Sequence, residues 1–284
     1  MLDRWDNSGT TGEPGWSSGN ASPAPLGTLH TVEQLAGRPG GAPAALVGRR
    51  VSDGVAVLTL DSPHNRNALS RRLVAELLDG LGSAEADDAV RVVVLRAEGP
   101  VFCSGADLTE AAEGAMRDGA AALVEVQRRI LASPKPVVVR VDGPVRAGGT
   151  GIVAACDLAV VSETATFALT EVRLGLAPAV VSLTVLPRLT SRAAARVFLT
   201  GEVFDGAAAA AMGLVTVAVP AQQVEDEVAR LVADLLAGHP QGLRESKRLL
   251  NAPVLEALER DGQALAELSG RLFASDEARA AMAA

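Results

Sequence analysis

Three short runs constrain this chain more than any other feature: VRVVVLRA at 90–97, VVVRV at 137–141 and LAVV at 158–161. All are dominated by apolar, mostly β-branched residues. A strand with one wet face alternates apolar and polar residues, whereas a strand covered on both faces reads as a nearly continuous apolar run. Segments with helical spacing lie between the runs. One spans 70–84, with Leu73, Val74, Leu77, Leu78 and Leu81 on one side and Ser70 placed to cap it; another lies near 120–132. β and α segments therefore alternate from 45 to 165, which implies parallel pairing through crossover helices. Before them, Ala45–Val51 and Val55–Leu60 flank SDG as a hairpin. After about residue 179 the spacing turns helical, over 180–189, 191–200, 206–212, 222–237 and 255–283, with one apolar run at Leu214–Val219. The expected organisation is an α/β core over 44–221 and a helical region over 222–284.

Residues 1–43 are rich in Gly, Ser, Pro and Thr with little apolar periodicity, and read as a disordered tail with a transient helical turn at Leu29–Leu35. The first residues lack the apolar stretch of a secretory signal. The net charge is −8, aromatic residues are 2% and tyrosine is absent, which argues against stacking on nucleic acid and against anionic membranes. No apolar segment reaches the ~18 residues of a membrane span. Cys103 and Cys156 are far apart and His30, His64 and His239 are scattered, so no metal site is expected. Two buried thiols suit a reducing, cytoplasmic setting.

The stretch RAGGTGIVAACD at 146–157 places three glycines within four positions. Its spacing fits neither GxGxxG nor GxxxxGK[ST], so it is not a phosphate loop. It follows a strand and opens a helix, so the N–H groups of Gly148 and Gly149 are unpaired at the helix's positive end. Two readings stand: half of an oxyanion hole, or a tight strand-to-helix turn. VFCSGADL at 101–108 again sets small residues at a strand end, where ligands of parallel sheets bind. In FALTEVRLGLAP at 167–178, Glu171 is a lone acid among apolar neighbours. In an apolar pocket its pKa would rise into the range of general acid–base work; otherwise it lies at the surface or pairs with Arg173. Asp157 reads as a helix-closing residue and Asp107 as a shaper of its loop. A Ser/His/Asp nucleophile is disfavoured, because GxSxG is absent and His64 lies in an early turn.

Together these stretches resemble the crotonase family of enoyl-CoA hydratases and isomerases, over about residues 45–284. DSPHNRNALS, FCSGADL, VDGPVRAGGTGIVAACDLAV and TFALTEVRLGLAP are similar to four family segments in the same order. The resemblance implies an α/β, crotonase-like spiral of ββα units with a C-terminal helical trimerisation region, assembled as a homotrimer or hexamer. It implies an acyl-CoA thioester substrate, with coenzyme A as part of that substrate and no separate cofactor. It maps the oxyanion hole onto the amides of Ala106 and Gly148 and the catalytic acid onto Glu171. Coenzyme A contacts map near Arg66, Ala68, Leu69, Asp107 and Leu108, with Lys247 a candidate for a phosphate. Family hydratases use two glutamates, and the first maps to position 151, which is glycine here. EVRLGLAPAVVS is similar to bacterial 3-methylglutaconyl-CoA hydratase-like members. The implied activity is an enoyl-CoA hydratase acting on a branched or carboxylated acyl group, with Arg146 or Arg173 facing any substrate carboxylate. An isomerase using Glu171 alone, or a non-catalytic acyl-CoA binder, is the alternative.

Overall fold

The structure, a computed structural model, describes residues 44–110 and 115–283. The tail expected over 1–43 lies outside the described residues. The first strand β1 (Val47–Ser52) turns back into β2 (Val55–Leu60), antiparallel, with Ser52 opposite Val55. Asp53 and Gly54 form the two-residue turn, both at positive φ (51° and 80°), the conformation that Asp-Gly suits. Arg49 and Arg50 lie exposed on β1, the edge of its sheet, where charge discourages pairing with another chain.

A crossover helix α1 (Arg71–Ala86) leads to β3 (Val92–Ala97), and α2 (Ala115–Ala132) leads to β4 (Val137–Val141). Ser70 caps α1 as its sequence suggests, its Oγ accepting from Leu73 N at 3.2 Å. A short strand β5 (Val145–Arg146) and helix α3 (Gly148–Ala155) precede β6 (Leu158–Ser162). Next come β7 (Thr166–Ala168), α4 (Ala179–Val185), α5 (Ser191–Thr200), β8 (Phe204–Asp205), α6 (Gly206–Met212) and β9 (Val217–Val219). The main sheet has the order β1-β2-β3-β4-β6-β9, parallel from β2 onward; β5, β7 and β8 form a small second sheet.

The valine runs are buried on both faces. On one, Val55, Val92, Val94, Val138 and Val160 meet Val224, Val228 and Val232 of α7 (Val224–Ala237), spaced four apart along one helix stripe. On the other, Val93, Leu95, Val137, Val139 and Val161 join the larger core with α1, α2 and α3. Cys103 and Cys156 are free, buried thiols, and burial pushes the Cys103 thiol up to about 12.

The C-terminal part departs from its sequence reading. The helix expected from 255 starts at Pro240, runs as α8 (Pro240–Phe273) straight through Pro253, and is followed by a separate α9 (Asp276–Ala283). An interior proline costs a helix about 3 kcal/mol, so packing must override it. The packing is close: a Cβ at Gly262 would lie 2.9 Å from Val124 Cγ1, and one at Gly270 2.8 Å from Arg117 Cβ. Glycines that weaken a helix in isolation here let α8 lie directly on α2. No helix among the described residues is long and apolar enough to cross a membrane.

Candidate active site

Three loops at the carboxyl ends of the strands are laced together by main-chain hydrogen bonds. Leu69 N donates to Gly105 O (2.8 Å), Ser104 N to Arg66 O (3.1 Å) and Arg146 N to Cys103 O (2.9 Å). Asn67, fully buried, is the staple: its Oδ1 accepts from Ser62 N (2.7 Å) and its Nδ2 donates to Glu98 O and Val101 O (2.9 and 2.8 Å). Gly105 holds φ +95°, and a Cβ there would stand 3.0 Å from Ala147 Cβ, so the loop carrying Ala106 lies against the turn entering α3. Ala147 itself adopts φ 47°, ψ −118°, a conformation that costs a residue with a side chain about 1–3 kcal/mol.

These loops open onto a cleft of about 840 Å³, including its mouth. Ala106, Gly148 and Glu171 all line it, as do Leu69 and Asp107. Neither the Ala106 nor the Gly148 N–H donates to another described residue. Gly148 has no room for a side chain, since a Cβ would lie 2.7 Å from Leu69 Cδ1 and 2.9 Å from Leu123 Cδ2. Glu171 is the second residue of the turn Thr170–Leu174; its Oε2 is buried with no hydrogen-bond partner. Burial raises its pKa from the ordinary 4.5 to about 7, against a smaller lowering by its own backbone. It lies among Leu123, Val180, Val181 and Phe273 of the same cleft.

Position 151, where the resemblance places the first of the two family glutamates, is filled in. A Cβ on Gly151 would lie 2.9 Å from Val181 Cγ1 and 3.3 Å from Gln127 Oε1. Gln127 is buried and accepts from Thr184 Oγ1 at 2.6 Å. The space is structural, and Glu171, half-buried with its Oε2 enclosed, is the acid of this cleft whose pKa burial raises.

Other expectations fare differently. Asp107 does shape its loop: its carboxylate accepts from the Thr109 hydroxyl (2.7 Å), Thr109 N (3.0 Å) and Asn65 Nδ2 (3.2 Å), and the Thr109 hydroxyl leads in lowering its pKa. Arg66, Ala68 and Leu108 belong to the same loops but stand outside the cleft lining. Lys247 is a correction. It is 5% exposed and spends its ammonium on Asp157 Oδ2 (2.7 Å), Ile130 O (2.8 Å) and Lys135 O (2.9 Å), leaving no donor for a phosphate. Arg146 also points elsewhere, its guanidinium donating to Val145 O, Thr166 O and Thr166 Oγ1 (2.9, 2.8 and 3.1 Å). Arg173 reaches Thr200 O at 3.4 Å, and neither arginine lines the cleft. The cation at the rim is Arg71, next to Glu110 at 3.5 Å. Ser269 and Phe273 of α8 complete the wall; Phe273, one of five phenylalanines in the chain, is the only signal the sequence offers for them.

A sequence profile described as enoyl-CoA hydratase/isomerase matches residues 50–284. The chain belongs to this family. A crystal structure of a candidate enoyl-CoA hydratase from Mycobacterium avium paratuberculosis is 51% identical, with TM-score 0.80 over 84% of this chain and 95% of that one. A candidate enoyl-CoA hydratase of Thermus thermophilus is 37% identical over 76% of this chain and 87% of its own length. A hydroxycinnamoyl-CoA hydratase-lyase of Pseudomonas fluorescens is 33% identical over 69% of this chain and 75% of its own. The crotonase fold, with its spiral α/β core, is therefore the fold of this chain, and the family's enzymes act on acyl-CoA thioesters.

Proposed function

We propose that the protein is an enoyl-CoA hydratase that adds water across the 2,3 double bond with a single carboxylate, Glu171. The observation that carries this reading is the orphan Oε2 of Glu171, in a cleft also lined by Ala106 and Gly148, whose N–H groups donate to no other described residue. The thioester C=O accepts from both amides. Glu171, as carboxylate, takes a proton from water while the water oxygen bonds to C3. Electrons of the double bond move onto the thioester oxygen, and the enolate is held by the two N–H groups, each contributing about 10²–10³ in rate. Glu171 then returns its proton to C2, so water is added in full and the acid is restored. No second acid is needed at position 151.

The coenzyme A moiety, the substrate's own handle rather than a separate cofactor, would run along the loops of Arg66, Ala68, Leu69, Asp107 and Leu108. With Arg146 held by Val145 and Thr166, Arg173 by Thr200 O and Arg71 beside Glu110, the acyl group best suited to this cleft is uncharged, including branched or aromatic chains; the name of the hydroxycinnamoyl-CoA relative fits that choice. We propose that the chain works in the cytoplasm as a homotrimer or hexamer. Leu199 (74% exposed) and Val203 (55%), either side of Gly201 in the chain, are exposed apolar side chains that assembly would cover.

A second reading, isomerisation, is favoured by Gly151: moving a double bond needs one base that takes a proton and gives it back. Both readings separate on purified protein. Expected for the hydratase is loss of the enoyl-thioester absorbance with 2-enoyl-CoAs, and little or no turnover when the acyl chain ends in a carboxylate. Gain of that band from 3-enoyl-CoAs, with no loss from 2-enoyl-CoAs, would select the isomerase. Binding without either change would leave a non-catalytic acyl-CoA binder.

A further inference from the structure

The turn that carries Glu171 is gripped from two sides. Its end, Gly175, stands at φ +70°, and a Cβ there would lie 3.2 Å from Ala278 N and 3.3 Å from Ala278 Cα. Ala278 is fully buried, whereas its neighbours on α9, Glu277 and Arg279, are exposed. On the other side Gly201, at the end of α5, would meet Val172 Cγ1 at 3.0 Å and Leu169 O at 3.2 Å. The turn closes on the carbonyl of Glu171 itself, to which Gly175 N and Leu176 N both donate. The helix α9 is in turn fixed to α8: Ser275 Oγ accepts from Ala278 N (3.2 Å) and donates to Leu272 O (2.7 Å). Phe273, one residue beyond Leu272, is already in the cleft wall.

We propose that α9 is a positioning element for Glu171: Ala278, seated on Gly175, holds the Thr170–Leu174 turn so that the carboxyl faces the cleft and stays out of water. The inference rests on Glu171 being the acid–base of the proposed hydration or isomerisation. Several charged groups surround it: Arg71, Asp107 and Glu110 on the cleft, Arg173 on the turn, Arg196 and Glu202 paired at 2.6 Å around the end of α5, and Asp276, Glu277 and Arg279 on α9. None of them is among the causes of the acid's raised pKa, which follows from burial. Water let in at α9 is therefore the change that would return the acid to its ordinary range.

The test is the pH profile of kcat/KM for full-length variants. Wild type should rise through about pH 7 as Glu171 ionises. Ala278→Glu wedges α9 away, and its rising limb should move down by about one unit or more towards the ordinary carboxylate range. Ala280→Glu adds the same charge on the exposed face of α9 and should leave the limb in place. Gly175→Ala, which adds one methyl at the contact, should move the limb in the same direction by less and serves if Ala278→Glu does not fold. A folded variant with an unmoved limb overturns the inference, even if its KM or its thermal stability changes. If wild type turns over no enoyl thioester, the functional reading fails separately, and infrared titration of the Glu171 carboxyl in the same variants still decides the role of α9.

Discussion

Two acids stand at opposite ends of α3 and could hardly be treated more differently. Asp157, just past the C-terminus, accepts from Val137 N (2.7 Å), Asn251 Nδ2 (3.1 Å) and Lys247 Nζ (2.7 Å). Glu171 lines the cleft onto which the N-terminus opens, and its buried Oε2 accepts from nothing. A buried carboxylate is tolerable when each oxygen is paired and costs several kcal/mol when it is not. The Asp157 cluster joins the end of α2, the entry to β4 and the early part of α8, so it builds the frame. Glu171 contributes nothing of that kind to the fold. A carboxyl oxygen kept unpaired at a cost, in a cleft also lined by two residues with unpaired amides, is the arrangement expected of a group that must change its protonation in use.

The largest expected effect breaks the working acid. Glu171→Gln should lower kcat/KM by about 10²–10⁴ while thioester affinity, read by calorimetric titration, stays near that of wild type. A loss below tenfold would remove Glu171 from the chemistry. The next breaks the structural acid. Lys247→Met removes the counter-ion of half-buried Asp157, leaving it only the neutral donors Val137 N and Asn251 Nδ2, and should cost about 3–5 kcal/mol in urea unfolding. Adding Asp157→Asn in the same chain should recover part of that cost by removing the orphaned charge. A cost under about 1 kcal/mol for Lys247→Met would show that the ion pair is not a fastening.

The same contrast marks how far the sequence could be read. The Asp53-Gly54 turn, the Ser70 cap and the bounds of α5 and α6 rest on neighbours a few positions away, and the local pattern states them in full. Ala106 and Gly148 follow the strands that the apolar runs at 90–97 and 137–141 identify, Glu171 stands out as a lone acid among apolar neighbours, and only the family resemblance joins the three into one candidate site. Lys247 was not: a lysine on a helix looks like a solvated charge until Asp157, distant in sequence, is placed against it. The start of α8 was hidden for a related reason. Pro253, Gly262 and Gly270 all argue locally against a long helix, and only contact with Val124 and Arg117 of α2 turns the two glycines into packing surface. Nothing near Ala278 in sequence announces that α9 packs against the turn that carries Glu171.

The smallest effect sharpens the comparison by reading stability instead of rate. Glu171 has a folded pKa of about 7 against an ordinary 4.5, so between those values the folded protein holds a proton that the unfolded chain releases. The wild type should therefore lose stability as pH rises from about 4.5 through 7, by about 3 kcal/mol in all. Glutamine is neutral throughout and suffers no such loss. Acids whose folded pKa is depressed, such as Glu76 and Asp107, act in the opposite sense but are common to both proteins and cancel in the difference. Glu171→Gln should thus unfold at nearly the same urea concentration as wild type at pH 4.5 and at a distinctly higher one at pH 8. If the two proteins stay together at pH 8, water reaches Glu171 in the folded state, and the contrast with Asp157 is one of geometry alone.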